Sequence, residues 1–108
     1  MLDIYYADRS ISAIPFSPDT LEFAGSIDLD AHRSLAALFD KGRAAGADLG
    51  YFEDSMLKPE QVKILLETFT ANLRELGGNP QVLAAFNMMC GLLEGAVERG
   101  GGLVAFSD

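Results

Sequence analysis

Apolar and polar residues alternate along "LDIYYAD" near the start of the chain. Leu2, Ile4 and Tyr6 fall on one side; Asp3, Tyr5 and Ala7 fall on the other. Period two is the signature of a half-buried strand. A connector with Pro15 and Pro18 follows, and neither proline suits a central strand. "TLEFAGSID" then alternates again, with Leu21, Phe23 and Ile27 opposite Glu22, Ala24, Ser26 and Asp28. The simplest arrangement is an antiparallel pair with one wet, acidic face and a long connecting loop.

From about residue 30 the period lengthens. Asp28 or Asp30 is placed to N-cap a helix carrying Leu35, Leu38 and Phe39 on one stripe; Gly46 suits its end. A second helix is expected from Pro59 to about Leu76, with Val62, Leu65, Leu66, Phe69, Leu73 and Leu76 on one face, stopped by Gly77-Gly78. Asn79-Pro80 reads as the cap and first residue of a third helix over 80–99. This helix is apolar nearly all round, so it belongs at the centre of the core. Gly91 and Gly95, four apart, leave room for a neighbouring element to approach. After Gly100-Gly101-Gly102, "LVAFS" reads as a final strand. The expected fold is therefore α+β in the order ββαααβ: a small antiparallel-rich sheet with three helices packed on one face. No repeat or linker divides residues 1–108, so a single domain is expected.

Charge changes the picture from fold to partner. The net charge is -8, and residues 1–30 hold six of the acids (Asp3, Asp8, Asp19, Glu22, Asp28, Asp30) against one base, Arg9. Such a segment repels phosphate backbones, so no nucleic acid is expected, and it would steer a basic protein instead. The bland alternative is that the acids only maintain solubility. One cysteine, Cys90, cannot form an internal disulfide, which suits a reducing compartment. The N-terminus has acids where a signal peptide carries positive charge, and the apolar run at 82–97 is short for a membrane span. A bacterial, cytoplasmic protein without membrane contact is the expectation, the bacterial origin resting on size and style alone.

The stretch "YFEDSMLKPEQV", residues 51–62, is the most closely written. Its second half is helix-start grammar: Pro59 at the first helical position, Glu60 near the positive helix end, Gln61 reaching back to the N-cap, Leu57 and Val62 as a staple. Lys58 is a poor N-cap residue. The first half sets Tyr51, Phe52, Glu53 and Asp54 on a loop, with at least one ring turned into the core. The layout of aromatic, two acids and Ser, followed by Leu-x-Pro-x-Gln-Val, resembles small acidic bacterial proteins of unknown function, some of them similar to toxin-neutralising immunity proteins. The resemblance implies a partner-binding role and carries over no functional residue.

Catalytic chemistry is sparse. His32 and Cys90 are the only residues of their types. Cys90 lies in the most apolar helix and reads as an inert core residue; His32 reads as a surface or packing histidine. No zinc ligand set, calcium loop or phosphate-cradling glycine motif is written in the chain, so neither cofactor nor metal is expected. The adjacent acids Glu53 and Asp54 are weak evidence for acid–base chemistry among sixteen acids. The leading expectation is a non-enzymatic protein-interaction module, most concretely an immunity-type inhibitor that occludes a basic partner such as a nuclease toxin. Asp3, Tyr5, Glu22 and Asp28 on the sheet, and Tyr51, Glu53 and Asp54 on the loop, are its candidate contact residues. A self-associating structural protein, with a homodimer as its simplest form, and a small ligand-binding or enzyme domain using carboxylates are the alternatives.

Overall fold

The computed structural model describes residues 1–107. Strand β1 spans Leu2–Ala7 and β2 spans Glu22–Ile27; helices α1 (Leu29–Ser34) and α2 (Ala36–Ala44) follow. Strand β3 (Ser55–Leu57) precedes α3 (Pro59–Ala71) and α4 (Pro80–Glu98), and β4 (Gly102–Ser107) ends the chain's regular structure. The fold is α+β: one four-stranded antiparallel sheet in the order β2-β1-β4-β3, with the helices on one face. No helix among the described residues is long and apolar enough to cross a membrane.

The helix starts follow from local chemistry. The Asp28 carboxylate accepts the Ala31 N–H at 2.7 Å, satisfying one of the free donors at the start of α1. Asn79 caps α4 through the Gln81 N–H, with Pro80 behind it. At α3, Gln61 Oε1 reaches back to accept the Lys58 N–H at 2.8 Å, while the lysine side chain, having no acceptor, caps nothing. The Gln61 amide also donates to the Gly46 carbonyl, tying the end of α2 to the start of α3. Gly46 ends α2 with φ of 101°, a backbone region that disfavours side chains.

Leu2, Ile4, Ile27, Leu57, Leu103 and Ala105 point from the sheet into the helix layer and are at most 1% exposed. They meet Leu35, Leu38, Val62, Leu65, Phe69, Met89 and Leu93 from the helices. No charged or polar side chain is buried among the described residues. Helix α4 lies centrally, as its nearly continuous apolar surface requires. Gly95 is where β1 comes closest: a β-carbon there would strike the Tyr6 hydroxyl. Gly102 similarly lets β4 pass the Leu57 carbonyl.

Four details depart from the sequence reading. The first expected helix is two, broken at Leu35, whose backbone leaves helical geometry while its side chain stays fully buried. Helix α3 stops at Ala71, and Leu73–Leu76 continues as a tighter 3-10 turn. Ser55-Met56-Leu57 forms a strand that was not anticipated, being too short to show a period, and it pairs with β4. In β2, Ile4 faces Gly25 while Tyr5 faces Phe23, so Ala24 is an extra residue in a β-bulge. The bulge reverses the alternation behind it: Phe23 leaves the core side and joins Tyr5, and Glu22 moves to the helix side beside Tyr6.

Candidate interaction surface

The sheet face turned away from the helices carries two cross-strand rows. Phe23, Tyr5, Val104 and Met56 form one; Ser26, Asp3 and Phe106 form the next, with Asp54 just before β3 at its end. Tyr5 is the hub. Its ring centroid lies 5.4 Å from Phe23 and 5.8 Å from Phe106, both in edge-to-face geometry, which aromatic quadrupoles favour by about 0.5–1.5 kcal/mol per pair. Val104, between Tyr5 and Met56, is fully buried, whereas Phe23 is 56% exposed. Tyr5, Met56 and Phe106 are part-exposed, so Phe23 is the ring this face offers most fully to a contact.

Carboxylates stand at one end of this face. Asp3 accepts the Ser26 hydroxyl at 2.7 Å, and Asp54 accepts the Ser107 N–H at 2.8 Å. Asp28 follows Ser26 at this same end and, with Asp30, shares a hollow with it, whereas Glu22 and Asp8 lie at the other end of the sheet, so the N-terminal acids are divided between two ends. Glu22 lies at the opposite end of β2 on the helix side, ion-paired to Arg99 at 2.7 Å, and the same guanidinium sits 3.8 Å over the Tyr6 ring. Asp28 is occupied as the α1 cap. Asp8 turns back to the Ser10 N–H, and that bond holds its carboxyl below the usual range. The reason is topological: the bulge turns Glu22 to the helix side, and Asp8 follows the far end of β1.

The loop ahead of β3 forms a second, adjoining region. Tyr51 is half-buried against the core, and its carbonyl accepts the Ser107 hydroxyl at 2.9 Å. With Asp54 it fastens the loop to the end of β4. The His32 ring stacks flat on Phe39 at 4.3 Å, tilts against Tyr51 at 5.4 Å and places Nε2 3.3 Å from the Leu49 carbonyl. It is a packing histidine. Phe52 stands 80% exposed beside a groove of about 380 Å³ that His32, Arg33, Tyr51 and Glu53 help to line. Arg43, at the same groove, is already held by Asp40 and Asp48.

The structure thus brings Asp3, Tyr5 and Asp54 to one face. It puts Tyr51 and Glu53 at the neighbouring groove, sets Asp28 just past Ser26 at the Asp3 end of the sheet, and leaves Glu22 apart. Phe23, Met56 and Phe106 join the face without having been anticipated. Phe106 was legible in principle, since it alternates with Ala105 in "LVAFS"; Phe23 was not, because a bulge leaves no mark in the hydrophobic period. Cys90 is 8% exposed, and burial first, then the nearby Glu94 charge, pushes its thiol pKa up. No group of three His, Cys, Asp or Glu side chains capable of holding a metal ion occurs among the described residues. Comparison of the chain with family models, curated proteins and solved structures finds no match.

Proposed function

We propose that this chain is a protein-interaction module that docks through the helix-free face of its sheet, with Tyr5, Phe23 and Phe106 as anchors. The observation that carries the reading is the exposed Phe23 ring packed edge-on against Tyr5, on a face where no helix covers it. Burying such rings at a contact returns apolar area to a dry environment at roughly 25 cal/mol per Å². An immunity-type inhibitor of a basic nuclease is one form of this module. On this face it has Asp3 and Asp54 to meet a cation, so charge would orient the partner while the aromatics hold it.

The test replaces Phe23 with a photo-crosslinking phenylalanine derivative in the native host and identifies the captured chain by mass spectrometry. Crosslinking from position 23, absent from a control at exposed Ala37 and lost on Tyr5→Ser, is expected. The complex should survive high salt; one that dissolves in salt would point to charge-driven docking by other carboxylates. No capture at position 23 beyond the control would overturn the reading.

A further inference from the structure

We infer that the partner on this face is a second copy of the same chain, packed face to face about a twofold axis that lies midway between the two sheets, parallel to their planes, and runs across the strands. The inference rests on the interaction reading above and names its occupant. Its warrant is the way charge is laid out along the two central and outer strands of the face. Asp3 and Asp54 stand at one end. At the other end Lys58 continues the alternation of Met56, and it shares a hollow with Arg9, in the turn after β1, and with Glu60. Neither Lys58 nor Arg9 makes an ion pair among the described residues. The aromatic and aliphatic band of Phe23, Tyr5, Val104 and Met56 lies between the two ends.

A twofold across the strands keeps each strand over its own counterpart and reverses its direction. Strand β3 then lies over β3 of the other copy, bringing Asp54 above Lys58. Strand β1 lies over β1, and the same register sets Asp3 over Ala7, two residues before Arg9. The apolar band falls on itself around the axis, as in two sheets packed face to face about 10 Å apart. A twofold running along the strands would instead stack the acidic ends on one another. The charge pattern therefore selects one of the two face-to-face arrangements, and the self-complementarity is what a closed homodimer demands of its surface. A net charge of -8 opposes association at long range, so the dimer should tighten as salt screens it, until the local pairs are screened too.

Sedimentation equilibrium of the full chain over a wide concentration range tests this. A reversible dimer is expected. Phe23→Lys, at an exposed position where the fold is retained by circular dichroism, should raise its dissociation constant about tenfold or more by placing a charge in the apolar band. Asp54→Lys and Lys58→Asp should each weaken the dimer, and the double swap should recover most of the loss. A dimer indifferent to Phe23→Lys, or a double swap no better than the single variants, would overturn the inference. A chain that stays monomeric while position 23 still captures a different protein overturns the second-copy inference and leaves the interaction reading standing. A monomer that captures nothing overturns both.

Discussion

The two faces of one sheet are written in nearly the same alphabet and meet different surroundings. The helix-side face presents Leu2, Ile4, Ile27, Leu57, Leu103 and Ala105, all essentially without solvent contact. The other presents Tyr5, Phe23, Met56 and Phe106, partly or largely exposed, with Val104 buried among them. An antiparallel sheet with one solvated face ordinarily alternates apolar with polar. Here the second face keeps Asp3 and Ser26 as its polar members and is otherwise apolar. The contrast lies in side-chain type: aliphatics where packing is continuous, aromatics where contact is made one ring at a time. Aromatics carry large contact area at low conformational cost, which is why an uncovered face bearing them reads as a docking surface.

The largest expected effect breaks the contrast in stability. Leu103→Ala, at the centre of the helix-side face, should cost about 2–5 kcal/mol in a denaturant titration, whereas Phe23→Ala on the other face should cost about 1 kcal/mol or less. Equal losses at the two sites would mean that the second face is as much core as the first. Next comes the close approach of β1 to α4. Gly95→Ala should lose about 1–3 kcal/mol despite its better helix propensity, because the new methyl meets the Tyr6 hydroxyl. Adding Tyr6→Phe should recover part of that loss, and strict additivity of the two changes would refute the steric account.

Smaller effects come from single carboxylates that help to build the fold. Asp28→Ala should cost about 1 kcal/mol through the lost cap of α1. Arg99→Gln, which removes the exposed pair with Glu22, should cost less than about 1 kcal/mol, with the difference shrinking in salt. At Cys90 the expected effect is a pH dependence of stability confined to the alkaline side. Its folded thiol holds its proton above the ordinary range. The stability this confers is complete below the unfolded thiol pKa and is lost as pH rises through the folded value. A thiol reagent at neutral pH should accordingly label Cys90 quickly only after denaturation.

Much of the fold was legible because it is written locally. The β1 alternation, the Asp28 and Asn79-Pro80 helix starts, the backward reach of Gln61 and the all-round apolarity of α4 each rest on a few neighbouring residues. Half of the surface was legible for the same reason: Asp3 and Tyr5 follow from the period of one strand. The rest required distant contacts. Strand β3 exists because three residues find β4, and β4 lies inside the sheet because β1 and β3 both claim it.

The sequence alone determined three of the four strands and the main helical segments, where most helices begin, and that the interior would be apolar and the molecule acidic. Only the tertiary structure decided that the N-terminal carboxylates part company, that Phe23 faces outward, and that Asp3 and Asp54 stand at the end of the sheet opposite Arg9 and Lys58. The physical reason is range. Periods and caps are set by residues within one or two turns of chain, whereas a single inserted residue such as Ala24 switches the face of the strand residues on one side of it, here Glu22 and Phe23, and only pairing with β1 fixes where that insertion falls.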